Sequence, residues 1–243
     1  MSVRSESPEV RIIGIDDTDM PDIGGTGNLA RRIAAEVGDL GVGRSIGVTR
    51  HQFFEGPGVP KTSRNSAAAI AFTEVPSAAE LFTTVCRIVA RESIPGSDPG
   101  VCMTSGTVAT SLVGFGRRAQ IGLVDQEEAH RLAAAAGVEL TGLGGTNDGV
   151  IGALGAAALR ADGTDGRYVG LPGIREISGE IKVVDILKRT AISAVVDQNQ
   201  TPLDQSGIIN VGDWVRPRLI GGEPVLVAKH DGEGWVNADT RSK

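Results

Sequence analysis

The apolar run Val10–Ile15 ends in three aspartates, Asp16, Asp17 and Asp19, that fall within four residues. Carboxylates crowded this closely repel one another unless a cation sits between them or one takes a proton. Mg²⁺ suits such a corner, because it binds through a few carboxylates, waters and substrate phosphates. The plainer alternative is an Asx-turn that caps the next element. Gly24, Gly25, Thr26, Gly27 and Asn28 then lead into a helical pattern. Glycines let backbone N–H groups close on an anion, and the first turn of a helix leaves several such groups unpaired. The stretch matches neither G-x-x-x-x-G-K-S/T nor G-x-G-x-x-G, and a tight turn explains it as well as a phosphate does. Thr26, the hydroxyl of that stretch, has three roles open to it: helix cap, metal ligand or acceptor of a phosphoryl group.

Two further clusters have related chemistry. Lys61 and Arg64, in the loop Val59–Asn65 (VPKTSRN), offer a point charge and a planar fork for phosphate, or remain solvated surface charges. The second glycine-rich loop runs from Gly144 and Gly145 through Asn147 and Asp148 to Gly149 (GGTNDG) and opens another helix; its Asn and Asp are capping residues or ligands. The aspartate triplet, the Lys/Arg loop and two glycine-rich helix entries together favour a site for ATP and Mg²⁺ more than any one of them does. Among the histidines, His130 falls on the outside of an amphipathic helix and His230 in a β-rich tail. His51 keeps both an acid–base and a structural role open. No Ser/His/Asp order or G-x-S-x-G supports a hydrolase triad.

Alternating strands and helices must position these groups. Val10–Ile15 is an expected strand, and the next helix places Leu29, Ala30, Ile33, Ala34 and Val37 on one face, with Gly38 as its terminator. Strands are expected over Ser45–Phe53 and Ala67–Val75. A helix follows with Ser77 as N-cap and Glu80 three residues on, a capping box. The small-residue segment Val101–Val113 has no assignable type. A helix with acidic residues at its start follows in VDQEEAHRLAAAAGV, and VIGALGAAALRA is a helix almost without bulky side chains. The interleaving predicts an α/β to α+β fold with a mixed sheet. Composition shifts at Asp197, which places a core region at 1–197 and a small β appendage at 198–243.

The chain has 243 residues, 40% hydrophobic but only 3% aromatic, so Ala, Val, Ile and Leu pack against 34 glycines. A formal net charge of -6 gives no support to nucleic-acid binding, which draws on a basic excess, although a local patch is compatible with it. Cys86 and Cys102 are the only cysteines and form no C-x-x-C pair, which excludes a structural thiolate zinc site. No apolar run approaches the ~20 residues of a membrane helix. The polar N-terminus lacks a signal-peptide core. A cytoplasmic protein with reduced thiols and no membrane partner is expected.

The motifs GIDDTD, Thr26 at a helix mouth, PKTSRN, LVGFGRRAQIGLVDQEEAHRLAAAAGVELTGLGG and GVIGALGAAAL resemble, in order, the archaeal agmatidine synthetase family. The resemblance runs from Val10 to the region of Ala194. It implies a kinase-like core with a ferredoxin-like part, and use of ATP and Mg²⁺ to phosphorylate the carbonyl oxygen of a tRNA anticodon cytidine, which agmatine then attacks. Carried over by position, it implies that Asp16, Asp17 and Asp19 hold metal and phosphates. Thr26 matches a threonine that becomes phosphorylated; Lys61, Arg64 and Asn65 lie on the nucleotide or substrate side, and Gly144–Gly149 shapes the pocket. The family continues into an OB-fold and a cysteine zinc ribbon; the residues here after Asp197 contain no cysteine. The loop before Thr26 reads MPDIGG, and GGTNDG lacks an arginine that the family pattern carries. The leading expectation is therefore an ATP- and Mg²⁺-dependent phosphotransferase or ligase that activates an oxygen of a small-molecule acceptor. The alternatives are a tRNA-modifying enzyme of the agmatidine synthetase type and a non-catalytic nucleotide sensor.

Overall fold

The computed structural model describes residues 9–16, 25–59 and 65–239. Asp17, Asp19, Gly24, Lys61 and Arg64 lie outside these residues. The chain forms two compact units, Met1–Asp162 and Gly163–Lys243.

The first unit contains β1 (Arg11–Asp16), α1 (Thr26–Asp39), β2 (Arg44–Gln52), β3 (Ser66–Thr73), α2 (Ala78–Glu92), β4 (Gly100–Ser105), α3 (Thr110–Ile121), α4 (Gln126–Ala136), β5 (Glu139–Gly142) and α5 (Gly149–Asp162). Its strands lie in the order β5-β4-β1-β3-β2, and every pairing described within it is antiparallel. A βαββαβ chain with strand order 4-1-3-2 is the ferredoxin-like arrangement, here lengthened by β5. The segment Val101–Val113, unassigned from sequence, divides into β4 and the start of α3.

Alternation along the strands sorts the two faces. Ile12 and Gly14 on β1, with Ala67, Ala69 and Ala71 on β3, face a core shared with Phe115 of α3, Ala129 of α4 and most of α5. Ile13, Ile15, Ile70 and Phe72 face the other way and are fully buried there. α5 is buried at every position from Gly149 through Arg160 except the half-buried Ile151, which explains why its sequence has no polar stripe. Small residues let it lie close: a Cβ on Gly14 would stand 2.0 Å from the carbonyl oxygen of Ala153.

Local chemistry sets the helix ends. Ser77 Oγ accepts from Glu80 N at 3.2 Å, the N-terminal half of the expected capping box. Asp125 Oδ1 accepts from Glu128 N at 2.8 Å, and Gly137 closes α4 in the left-handed conformation. Gly38 does not end α1, which continues to Asp39; the left-handed turn falls on Gly41 at φ 69°.

The second unit contains β6 (Arg167–Gly170), β7 (Glu180–Lys182), α6 (Val183–Arg189), β8 (Ala194–Val196), β9 (Ile208–Asn210), β10 (Arg218–Ile220), β11 (Glu223–His230) and β12 (Trp235–Asn237). β10 pairs antiparallel with β6 and β11, whereas β8 joins β11 and β9 joins β12 in parallel, so the mixed pairing lies here. Val183 and Ile186 share one core with Ile209, Leu219 and Leu226. The division after Asp162 differs from the expected boundary between 197 and 198. Residues 163–197 supply strands and the helix of this unit, and the compositional shift marks a turn in which Asp197 Oδ1 accepts from Asn199 N and Thr201 N. No helix among the described residues is long and apolar enough to cross a membrane.

Candidate functional site

The strand register gathers the sequence motifs at one edge of the five-stranded sheet. Asp16, the last residue of β1, pairs with Gly100, the first of β4, and Gly100 pairs with Gly142, the last of β5. On the other side Ile15 pairs with Ala68, and Ser66, the first residue of β3, pairs with Gln52, the last of β2. Neighbouring strands lie about 4.8 Å apart, so these chain ends span roughly 20 Å. The connections 17–25, 53–65, 93–99 and 143–148 all leave this edge. In sequence they carry Asp17 and Asp19 with the first glycine loop, the Lys/Arg loop and the second glycine loop, of which 17–24 and 60–64 lie outside the described residues. The remaining one, 93–99, drew no functional reading from sequence.

Asp16 lies on the α5 face. A Cβ on Gly152 would fall 1.8 Å from Asp16 Oδ2, so the carboxylate occupies the place a side chain would take in the first turn of that helix. Helix N-termini favour negative charge. Gly100 and Gly149 touch backbone to backbone, a Cβ on Gly100 standing 2.2 Å from the Gly149 carbonyl carbon. This close approach brings the positive end of α5 to the sheet edge.

The second glycine loop is held by Asp98 of the connection before β4, by Gln126 of α4 and by its own backbone. Asp98 Oδ1 accepts from Thr146 N, and Asp98 O accepts from Gly149 N at 3.0 Å. Val150 N and Ile151 N donate to Asn147 O and Asp148 O at 3.1 Å each. Gln126 Nε2 donates to Asp148 Oδ1 and to Thr146 O. Gly145 and Asn147 are left-handed at φ 60° and 67°, a conformation Gly and Asn tolerate. A Cβ on Gly145 would overlap the Asp98 carboxylate, and the Asn147 side chain fills the space over Gly142. Asn147 and Asp148 thus shape a rigid wall, and several amides of the loop are already committed. Asp98, which organises it, was missed by sequence reasoning; its signal was an aspartate in the glycine- and proline-rich connection before β4.

The remaining predicted residues fall as follows. Gly25 is the residue before α1 and makes no side-chain cap, and Thr26, the first helical residue, is buried. Gly27 O accepts from Arg31, whose guanidinium also donates to Asn28 Oδ1 at 2.8 Å. That places a cation over the first turn of α1, where both it and the helix favour an anion. Asn65 closes the β2–β3 connection: its Nδ2 donates to Phe54 O at 2.7 Å and its carbonyl accepts from Phe53 N. His51 is fully buried on the α5 face with Nε2 2.9 Å from Thr49 Oγ1, a core histidine rather than one exposed at the edge.

The first unit is thus a ferredoxin-like α/β sheet with glycine-rich helix entries and a carboxylate at one end of its strands. Its fold is similar to solved structures of tRNA-modifying enzymes. A tRNA fluorescent labelling enzyme matches at 25% identity and TM-score 0.54, over 61% of this chain and 36% of that one. TiaS, a tRNA agmatidine synthetase, matches in its complex with tRNA and ATP at 25% identity and TM-score 0.54, over 62% of this chain and 36% of that one. Apo TiaS matches at 24% identity and TM-score 0.53, over 61% and 35% of the two chains. The matched region is little more than a third of the length of those proteins. No protein-family model and no curated protein matches the sequence. The resemblance carried by the motifs is therefore present in the fold as well.

Proposed function

We propose that the sheet edge around Asp16 binds ATP with Mg²⁺ and activates an oxygen of an acceptor by phosphoryl or nucleotidyl transfer. The observation that carries this reading is the register, which gathers the motif-bearing connections at one edge and sets the Asp16 carboxylate in the first turn of α5. The likeness to TiaS, solved with tRNA and ATP, supports ATP-dependent chemistry. Asp16 suits a hard cation because its carboxylate has a built seat on Gly152. Asp17 and Asp19 would complete the ligand set. Once bound, Mg²⁺ supplies charge neutralisation at the phosphates. Lys61 and Arg64 add to it from the neighbouring connection. The amides of Gly24–Gly27, with Arg31 over the same turn, hold the phosphate chain, and Thr26 is the hydroxyl available as a phosphoryl relay. Catalysis of this kind rests on positioning and electrostatics more than on covalent chemistry.

A small-molecule acceptor is the first reading. The second, tRNA modification, is favoured by the tRNA enzymes among the similar structures. Incubation with labelled ATP and Mg²⁺, with candidate amines and with tRNA, separates them. Turnover should appear with the true acceptor and fall about 100-fold or more in Asp16→Asn. Tight ATP binding without turnover under every condition would replace the enzyme with a nucleotide sensor. Equal turnover in Asp16→Asn would remove Asp16 from the site.

A further inference from the structure

A second feature lies in the other unit. Trp214, in the connection from β9 to β10, is 45% exposed. The guanidinium of Arg175 covers its ring at 4.2 Å from the centroid, and that of Arg216 lies 5.9 Å away. The loop is fastened on both sides of the indole. Gly179 N donates to Gly212 O and Tyr168 N to Pro217 O, at 2.9 and 2.8 Å, while Val215 is buried in the core. Arg175 is itself tied to Val169 O at 3.2 Å. The ring is thus fixed by bonds on either side of it while nearly half of its surface stays exposed beside two guanidiniums.

We propose that Trp214, Arg175 and Arg216 form a stacking platform for single-stranded RNA, with the indole taking an unpaired base and the guanidiniums the adjoining phosphates. The π-face of a base is the partner that an open indole accepts, and arginine contributes both charge and stacking. A duplex hides its base faces, so the strand must be single. An acidic protein would use the cations without needing the ring. Arg175 and Arg216 set two positive charges at the ring, with Asp213 next to Trp214 and Glu176 next to Arg175 in the sequence, in a chain whose net charge is -6. This inference stands on the second unit alone and is independent of the ATP reading.

The chain has two tryptophans, so a Trp235→Phe background makes Trp214 the sole indole. Titration with a single-stranded oligoribonucleotide should quench its emission. Trp214→Ala should weaken binding, measured with a labelled oligonucleotide, by about fivefold or more, and Trp214→Phe should restore most of it. Arg175→Gln and Arg216→Gln should each flatten the slope of log affinity against log salt by about 0.7. ATP turnover in Trp214→Ala, with ATP and acceptor saturating, gives a separate readout of the first unit. Unchanged RNA affinity in Trp214→Ala would overturn the platform. So would equal binding of duplex RNA or of polyglutamate at matched charge.

Discussion

Gly152→Ala tests whether the position of the Asp16 carboxylate matters, separately from the fold. In a helix interior alanine is favoured over glycine by about 1 kcal/mol. Against that gain, the new methyl would stand 1.8 Å from Asp16 Oδ2, 2.6 Å from its Cγ and 3.0 Å from its Cβ. The obstructing atoms belong to a short side chain that can rotate. A displaced rotamer costs roughly 0.5–1.5 kcal/mol. The net change should therefore lie within about 1 kcal/mol of zero, a shift of no more than about 2–4 °C in Tm for a chain of this size. On the proposed function, turnover should fall about 100-fold, because the carboxylate would no longer meet the cation proposed there. Gly14→Ala is the contrast. Its methyl would meet the Ala153 carbonyl oxygen at 2.0 Å and Ala157 N at 3.0 Å, all backbone. Nothing there can rotate away, so strand and helix must part, at a cost of roughly 3 kcal/mol and about 6–12 °C. Calorimetric Tm and steady-state ATP turnover on both variants decide the matter. Full turnover at unchanged Tm in Gly152→Ala would refute the role of Asp16. A collapse of Tm like that of Gly14→Ala would refute the claim that the carboxylate is the part that yields.

Asp98→Ala removes the acceptor of Thr146 N and should raise KM for ATP about tenfold with a smaller change in kcat. Asp98→Asn keeps an accepting oxygen and should recover most of the loss, as steady-state kinetics will register. Both thiols should resist labelling by a disulfide reagent at pH 8. Burial, aided by Glu139, pushes the Cys86 thiol up to about 11, and burial alone raises that of Cys102 further. Labelling of Cys86 should accelerate as pH rises toward 11, while Cys102 should react only on unfolding. The sign for stability follows: the neutral Cys86 thiol favours the fold fully below the ordinary value near 9, and that contribution is lost as pH rises through about 11. Rapid labelling of either cysteine at pH 8 would contradict this.

The sequence patterns carried most of the first unit. Periodicity placed α1 and α2, acidic residues at its start marked α4 and small residues marked α5; Ser77 accepts a hydrogen bond at the start of α2 as its residue type suggested, while the cap by Asp125 came only with the structure. Two kinds of information were not local. Val101–Val113 shows no single periodicity because it joins the buried strand β4, which ends at Ser105, to the start of α3 at Thr110. The compositional boundary and the contact boundary also differ. Composition changes where the chain becomes exposed, at Asp197, whereas the units divide at Asp162, where only contacts mark the change.

The candidate site shows the same division. Residue type pointed to Asp16, Thr26 and the two glycine loops, but only strand register places their connections at a common edge. It also reassigns the glycines. In the sequence the loops looked like anion cradles; in the fold Gly100, Gly149 and Gly152 act chiefly by being small, letting the N-terminus of α5 reach backbone contact with β4 and sit against Asp16. A helix that carried side chains at 149 and 152 would stand off from the edge, and its positive end would no longer adjoin the carboxylate. The second glycine loop follows from that constraint: Gly145 and Asn147 turn left-handed so that the chain can leave β5 and enter α5 within six residues. The small residues of α5 and its entry loop therefore build the seat of Asp16.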